Sequence, residues 1–395
     1  MSHPSFDAFI DDERHERDVP PGEAFSAWRL KVLSPEDLAE LAEPGTPTSL
    51  AQLAYLAWYN LLAPTSHNTV PQRFRLRPQE GVLEVWLDRK FVLPASDVVG
   101  RQGAVSVGCG IANSVLAAHA YGWASDVEFT PTPVPDTHPA RLDAPRYAEI
   151  ARVRFHPWAE APRGDGLLRA MLARKVVRAV YDERVKLDSA LAESLAAIVR
   201  AHAGLTLHLL TDSPTLLFLG KFQELADTTV FNRESFATEL GDYLLPNDSA
   251  SLLGMRGSEF GLGTESAHHI HLGLRRLAAL LPDEMAGFAK AGNLGMRSSS
   301  AVGVITVDED TLPQRVRAGQ AYEEIAILLQ QHRFCTAMHA GITEVEAPSM
   351  ALRGRLRTRA RPTVVFRLGR PLHEEDWSRP HSSRPSLAST LLPIE

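Results

Sequence analysis

Residues 63–74 read APTSHNTVPQRF, and this stretch decides the fold that we predict for the chain. Two prolines, Pro64 and Pro71, restrict the backbone near its ends, and hydroxyl and amide side chains lie between them. Such a loop offers hydrogen-bond donors and acceptors to a polar heterocycle while its backbone stays rigid. Taken alone, however, a stretch rich in Pro, Thr, Ser and Asn is more often a plain turn. The segments on both sides therefore decide between the two interpretations.

Hydrophobic periodicity and turn residues predict helices and strands on both sides of the loop. One helix is expected to begin at Pro35, because the capping residue Ser34 precedes it. The other predicted helices are 50–62, 107–121, 167–180, 189–203 and 313–331. The predicted strands are 74–76, 83–87, 127–129, 151–155, 205–210, 301–307 and 363–368. A link with Pro, Gly and Trp at 157–165 predicts a boundary between two halves.

Composition limits the class of protein. The chain has 395 residues, which exceeds the roughly 250–300 residues at which single hydrophobic cores stop growing. Its 41 basic and 48 acidic residues give a net charge of -7, which argues against a nucleic-acid partner. Cys109 and Cys335 form no CxxC pair, so neither a disulfide framework nor a thiolate metal site is expected. With an acidic N-terminus and no long apolar run, we expect a cytoplasmic protein without a membrane partner.

A weak internal repeat appears when Gly108 is set on Gly319. Residues 108–123 then lie against residues 319–334, and both segments start with small residues and end near an aromatic one. Because any two amphipathic helices can be matched in this way, we attribute this repeat, on its own, to chance.

The string at 63–74 resembles the nitroreductase motif of Pro-Ser followed by Asn, a hydroxyl residue and Gln-Pro-Trp. Its His-Asn-Thr form is similar to that of Acg-type tandem nitroreductase-like proteins. Residues 174–178, RKVVR, resemble the Arg-Arg-Ser-x-Arg opening of a nitroreductase domain, and 383–385, SRP, resemble its C-terminal basic segment. The motifs follow the family's order and cover most of the chain.

This resemblance implies an α+β fold of two tandem nitroreductase-like domains, each a mixed sheet wrapped by helices, in a pseudo-twofold fused dimer. The implied parts are an N-terminal arm at 1–24, a first half at 25–160 and a second half at 161–395. A lid candidate lies at 247–296, because it begins with a long Gly- and Ser-rich connection, and such connections are uncommon inside compact domains. The fused chain would be a monomer or a weak homodimer.

The resemblance also implies one FMN site per chain. The first half has the Asn68 loop without an arginine opening, whereas the second half has the arginine opening without such a loop. The implied FMN-binding residues are Thr65, Ser66, Asn68, Arg174, Lys175, Arg178, Met338, His339 and Arg384.

Each group in this set has an implied role. The basic residues would neutralise the phosphate, the loop would bond the ring or ribityl oxygens, and the backbone near Met338 would line one face. Without the resemblance, the basic residues would be a solvated helix face. Three departures weaken the assignment: Val176 replaces a serine, Val70 a glutamine, and Gln72 stands where the family has tryptophan.

The implied function is that of an FMN-dependent oxidoreductase of the nitroreductase superfamily. The flavin would transfer hydride to an unknown small molecule, NAD(P)H would be a transient donor, and no side chain need act as acid or base. Two alternatives stay open. In the first, the protein binds or sequesters flavin beneath its lid and catalyses little turnover. In the second, the protein keeps the fold but no longer binds FMN.

Two other groups of residues have both a functional and a plain structural interpretation. His268, His269 and His271 lie close in sequence, but no carboxylate or cysteine partners them, so an exposed cluster is favoured over a metal site. Arginines alternate from Arg353 to Arg361, which favours the solvent face of an edge strand over an RNA surface, since no aromatic residues interleave.

Overall fold

The structure is a computed structural model, and it describes residues 32–130, 145–276 and 282–393. The predicted arm at 1–24 and residues 277–281 of the lid candidate lie outside the described residues. The described chain forms two four-stranded antiparallel sheets, a short two-stranded pair, and helices packed around and between them.

The helices were numbered in chain order. They are α1 Pro35–Glu40, α2 Leu50–Leu61, α3 Arg101–Ala120, α4 Gly166–Ala173, α5 Ser189–Arg200, α6 Ser213–Phe231, α7 Glu234–Tyr243, α8 Thr264–Leu274, α9 Pro282–Arg297, α10 Leu312–Gln331, α11 Gly341–Glu344 and α12 Glu346–Leu356. The strands are β1 Gln72–Arg77, β2 Val82–Asp88, β3 Ala124–Phe129, β4 Tyr147–His156, β5 Leu205–Leu210, β6 Leu244–Leu245, β7 Met255–Arg256, β8 Ala301–Val307, β9 Cys335–Met338 and β10 Arg361–Gly369.

Local sequence accounts for the first two helix starts. The Ser34 hydroxyl accepts the Asp37 backbone N–H at 3.0 Å, and the Asp37 carboxylate accepts the Ser34 N–H at 3.2 Å. Ser49 and Gln52 form the same reciprocal pair at the start of α2. Each pair satisfies two backbone donors that a helix leaves open at its N-terminus.

The two sheets share one topology. The first has the strand order β1-β2-β4-β3 and the second β5-β8-β10-β9, with every neighbouring pair antiparallel. A long helix joins the second and third strands of each set, α3 in the first and α10 in the second. The prediction of mixed sheets therefore does not hold for these two sets of strands, and among the described residues their edges show parallel pairing only in isolated bridges, Phe74 with Leu391 and Val176 with Thr336. Because the helix returns the chain to the far edge, the fourth strand fills the gap and runs antiparallel to both neighbours.

Helices α3 and α10 cross at two glycines in a reciprocal way. A Cβ added to Gly108 would lie 2.0 Å from the carbonyl oxygen of Val316, and one added to Gly319 would lie 2.1 Å from that of Val105. The number of residues from Gly108 to Gly319 equals the number from Val105 to Val316. The alignment that we attributed to chance therefore coincides with a symmetrical contact, in which each glycine admits the backbone of the other helix.

The hydrophobic core also joins the two halves. Leu168, Met171 and Val316 pack with the core of the first sheet, whereas Val105 and Cys109 pack with that of the second. By length and composition α3 is the one helix of the described ranges that could cross a membrane, and 83% of its apolar window is buried inside the protein.

The two units differ between their first two strands. In the first sheet, β1 and β2 are joined by a tight turn at Pro78–Glu80 and Gly81. In the second sheet, residues 211–300 connect β5 to β8 and contain α6 to α9, apart from 277–281. We call residues 211–300 the insert. The lid candidate at 247–296 falls within it.

Two predicted elements were wrong in extent or kind. The helix expected at 167–180 ends at Ala173, because the chain then adds to the edge of β9, where the Val177 N–H donates to the Thr336 carbonyl at 3.1 Å. The expected edge strand at 353–361 is instead the last turn of α12, a connection at 357–360 and the first residue of β10. Strand β10 is internal, since it pairs with both β8 and β9.

Candidate functional site

A cavity lies where the first half meets the second. Six of the nine predicted site residues line it: Thr65, Asn68, Arg174, Lys175, Arg178 and Arg384. Its volume is about 570 Å3 with open solvent included. The insert contributes Met255 and Glu259, so three separate parts of the chain close around one space.

The loop between α2 and β1 carries an unusual backbone. His67, Asn68 and Val70 have φ values of 50°, 53° and 46°, and a side chain other than glycine is disfavoured in this left-handed region, least so for Asn. The hydroxyl of Thr65 accepts the Val70 N–H at 3.1 Å and so helps to hold the turn. Strain of this kind persists where the surroundings fix it.

The side-chain amide of Asn68 joins this loop to the groups around it. Asn68 is only 4% exposed, and its side-chain Nδ2 donates to the carbonyls of Gly254 at 2.9 Å and Ser383 at 3.0 Å. Its Oδ1 accepts from Arg384 Nη1 at 2.8 Å. The Gly254 N–H donates in turn to the Asn68 carbonyl at 3.0 Å. The insert is thus hydrogen-bonded directly to the loop.

Arg384 and Arg174 cap the C-terminal end of α2. Arg384 donates to the carbonyls of Leu61 at 2.6 Å, Leu62 at 3.2 Å and Ala63 at 3.1 Å, and Arg174 donates to Leu62 at 2.8 Å. The last carbonyls of a helix lack partners within the helix and carry its negative partial charge, so two cations there satisfy and stabilise them. Burial, with the charge of Arg174, lowers the pKa of Arg384 to about 10, which still leaves it charged at neutral pH.

Arg174 also forms a buried ion pair with Glu323 of α10. Its Nε lies 2.8 Å from Glu323 Oε1, and the two side chains are 5% and 0% exposed. Burial raises the pKa of Glu323 to about 7, and the charge of Arg174 opposes this rise. The guanidinium of Arg174 is therefore engaged on both sides, by a helix end and by a carboxylate.

Lys175 and Arg178 differ in their partners. Lys175 Nζ donates to the carbonyls of Trp377 and Arg379, the latter at 2.7 Å. Arg178 lies over the ring of Phe260, 4.6 Å from its centroid, and within the described ranges its guanidinium has no hydrogen bond and no carboxylate within 4 Å. Among the charged residues lining the cavity, four are cations and one, Glu259, is a carboxylate. The cavity therefore attracts anions.

The other three predicted residues lie outside the cavity lining. Ser66 points its backbone N–H at the Ser106 hydroxyl, at 3.1 Å. Met338 ends β9 and pairs with Phe366. His339 accepts a hydrogen bond from Arg367 Nε at 3.2 Å. The structure thus brings the loop and the basic residues together, but it does not bring Ser66, Met338 and His339 to the same cavity wall.

Several residues of the site were not predicted from the sequence. Arg256 of the insert donates to the Ser383 hydroxyl at 2.7 Å, and Glu259 accepts from the Ser382 hydroxyl at 2.5 Å. The Gly- and Ser-rich composition around them suggested a lid but no particular partner. His381 also lines the cavity, and burial, with the charges of Lys175 and Arg174, lowers its pKa to about 3.

The histidine cluster shows no sign of metal binding within the described ranges. His268, His269 and His271 lie on α8, and the ring Nδ1 of His271 is 2.9 Å from the Leu244 carbonyl oxygen. No group of three or more metal-ligating side chains occurs among the residues that the structure describes.

The sequence matches no protein-family model and no curated protein. Among solved structures, it is similar to the FMN-dependent nitroreductase NfnB of Mycobacterium smegmatis in complex with NADPH, at 10% identity and a TM-score of 0.38, over 58% of this chain and 99% of that one. It is also similar to a candidate nitroreductase of Anabaena variabilis, at 12% identity and a TM-score of 0.45, over 92% of this chain and 99% of that one. Both TM-scores are below 0.5.

Proposed function

We propose that this chain is an FMN-binding oxidoreductase of the nitroreductase superfamily, built as a tandem of two units with one cofactor site. The observation that carries the proposal is the cavity, where the Asn68 loop of the first unit meets the Arg174–Arg178 segment and the Arg384 tail of the second. The shared sheet topology and the reciprocal glycine contact support the tandem.

The residues of the cavity fit a phosphate-bearing cofactor by charge. Four cations face one carboxylate, and Arg178 has no anion paired with it in the described chain. Arginine and lysine at such a place bind phosphate through charge-assisted hydrogen bonds. The polar walls formed by Thr65 and Asn68 suit the oxygen and nitrogen atoms of a ribityl chain or a flavin ring. When bound there, FMN supplies the hydride chemistry, and the protein supplies position and charge.

The closed arrangement sets a condition on binding. All three hydrogen-bonding positions described for the Asn68 amide are used by Gly254, Ser383 and Arg384. A ligand that takes the place of Gly254 at this amide therefore requires the insert to move away from the loop, which frees one of the Nδ2 hydrogen bonds and widens the cavity. We include residues 247–296 in the proposal as the lid that makes this movement.

The second candidate function is flavin binding with little turnover. It is favoured by the paired hydrogen bonds between Asn68 and Gly254, because a lid held in this way keeps a small molecule or NAD(P)H from reaching the cofactor. The two functions share the site and differ in whether the lid opens during a cycle.

Optical spectroscopy of the purified full chain tests the proposal. We expect a flavin spectrum as isolated, or after addition of FMN, in a ratio of one flavin to one chain. A preparation that stays colourless after incubation with FMN contradicts the proposal. Anaerobic addition of NADPH then distinguishes the two functions. Rapid bleaching of the flavin supports the oxidoreductase, and persistent colour supports the binding protein.

A further inference from the structure

Helix α7 of the insert covers the Asn68 loop. The rings of Phe236 and Tyr243, at the two ends of α7, both contact the ring of His67, with centroids 6.5 Å and 6.2 Å away. The two residues are about two helical turns apart, so their rings lie on one face of the helix. Since His67 directly precedes Asn68, this face of α7 lies along the loop that forms one wall of the cavity.

Glu239 lies on the same face of α7 and joins it to the first unit. One carboxylate oxygen accepts the Ala95 N–H at 2.8 Å, and the other accepts the Ser96 N–H at 2.9 Å and the Ser96 hydroxyl at 2.6 Å. Residues 95–96 belong to the connection between β2 and α3. Hydrogen bonds to an ionised acceptor are shorter and stronger than those between neutral groups. We call this contact of Glu239 with residues 95–96 the latch.

The donors of the latch are neutral, so water can replace them. Burial raises the pKa of Glu239, and the hydrogen bonds from Ser96 and Ala95 oppose that rise. A carboxylate that leaves this contact regains its hydration, which offsets the loss of the three hydrogen bonds. The latch can therefore open without leaving a buried charge unpaired.

Helix α7 is connected to the lid at 247–296. Its end continues into β6, which pairs with β7 of the lid. Strand β7 directly follows Gly254, the residue whose carbonyl accepts from Asn68. The Leu244 carbonyl oxygen of β6 also lies 2.9 Å from Nδ1 of His271 in α8. A displacement of α7 is therefore passed to the residue that occupies the Asn68 amide.

The outer part of the insert has an apolar core of its own. This cluster combines the end of α6 with residues of α7, β6 and α8, namely Phe231, Ala237, Leu244, Ile270 and Leu274. Helices α6 and α9 pack on the second sheet through a different cluster, which contains Leu216, Leu219 and Met296. Separately packed parts of a protein open with separate free energies. The outer part can therefore move while the packing of α6 and α9 on the second sheet stays intact.

We infer that Glu239 holds the lid closed, and that release of its carboxylate from residues 95–96 lets α7 and the lid withdraw from the Asn68 loop. The latch thus regulates entry to the cavity. This inference rests on the proposed function for the identity of the ligand, FMN, but the latch can be tested without any flavin.

Hydrogen exchange of the flavin-free full chain, followed by mass spectrometry, tests the latch. Glu239→Gln keeps the size of the side chain, but its amide group presents a donor to one of the two backbone N–H groups. Exchange of the amides at 65–70 and 254–262 should therefore accelerate by about 10-fold or more, as expected for the loss of a charged hydrogen bond. The matched control is Asp242→Asn, which removes an acid of the same helix whose partner, Arg275, lies within the insert. It should leave exchange at both segments unchanged.

Ser96→Ala tests the same contact from the first unit. It removes the hydroxyl but keeps both backbone donors, so the same amides should accelerate by a smaller factor. In the double variant with Glu239→Gln, the two factors should combine to less than their product, because both changes act on one contact. The inference is overturned if both single variants leave exchange at 65–70 and 254–262 unchanged, because Glu239 then only stabilises the connection at 95–96. It is also overturned if Asp242→Asn has the same effect as Glu239→Gln.

The second experiment measures by stopped-flow fluorescence how fast FMN associates with the flavin-free chain. Because the latch keeps most molecules closed, Glu239→Gln should associate about 10-fold or more faster, and Asp242→Asn at the original rate. Equal rates for Glu239→Gln and the original chain contradict the control of entry by the latch. A chain that binds no FMN while its exchange responds as expected refutes the proposed function alone. A chain that binds FMN while its exchange does not respond refutes the latch alone.

Discussion

The reciprocal crossing of α3 and α10 can be tested at Gly108 and Gly319. Alanine at Gly108 would place a Cβ 2.0 Å from the Val316 carbonyl oxygen, whereas real Cβ contacts stay beyond 3.0 Å. The helices must therefore separate locally by at least 1.0 Å. The neighbouring atom belongs to the backbone of a buried helix, so it cannot move aside as a side chain would.

The magnitude follows from two opposed effects. Overpacking of a core costs about 1–3 kcal/mol, and a contact between two backbones belongs at the upper end. Replacing glycine by alanine inside a helix returns about 1 kcal/mol. We therefore expect Gly108→Ala and Gly319→Ala each to destabilise the chain by about 2 kcal/mol. The double variant should cost less than twice this amount, because one separation of the helices accommodates both methyl groups.

Urea unfolding followed by circular dichroism gives the free energy of unfolding for each variant. The control is Gly354→Ala in α12, where nothing lies within 4 Å of the added Cβ, and which should stabilise the chain by up to about 1 kcal/mol. Two results would refute the reasoning: both crossing variants as stable as the original chain, or one strongly destabilised and the other not. The second result would show that the contact is not reciprocal.

Three further predictions concern the loop, the insert and α2. Asn68→Gly keeps the left-handed backbone but removes three hydrogen bonds, worth about 1 kcal/mol each. Limited proteolysis should therefore cut residues 247–262 faster in this variant. Digestion at the original rate would contradict the link between Asn68 and Gly254. Burial raises the pKa of Asp227 to about 7, so the Asp227 carboxyl keeps its proton in the folded chain at pH values where the unfolded chain releases it. As the pH rises from about 4 to 7, the unfolded chain gains free energy from this release, and the folded chain becomes less stable relative to it. The melting temperature of Asp227→Asn relative to the original chain should therefore rise from pH 5 to pH 8, and a constant difference would exclude this role for Asp227. Ser49→Ala should lower the free energy of unfolding by about 1 kcal/mol, and the exposed Ser194→Ala, measured by the same urea titration, should lower it by less.

The elements that could be predicted are those whose signals are local. Strands β5 and β8 occupy the residues expected of them, 205–210 and 301–307, because turn residues or helix starts bound their apolar runs. The start of α1 follows from Ser34, whose side chain caps the helix by accepting a hydrogen bond from a backbone N–H only three residues away. For each of these, the sequence within a few residues determines the backbone conformation.

The failed predictions depended on distant residues. The helix predicted to run to residue 180 stops at Ala173, because Val177 finds a partner in Thr336, some 160 residues later. The same distance hides the engagement of Arg174, since no local pattern indicates that Glu323 and the end of α2 surround it. A cluster of basic residues in the sequence therefore indicated a positive site, but not which of its members are free to bind.

The difference between the two units supports our proposal of one cofactor site per chain. In the first unit the connection from α2 to β1 runs from 62 to 71 and carries the Asn68 loop. The equivalent connection in the second unit, from α5 to β5, is only 201–204, too short for a comparable loop. The insert also occurs between the first two strands of the second unit alone, where it closes over the single loop. If the units descend from one ancestor, the proposed site lies at the longer of the two connections, which is also the one that the insert covers.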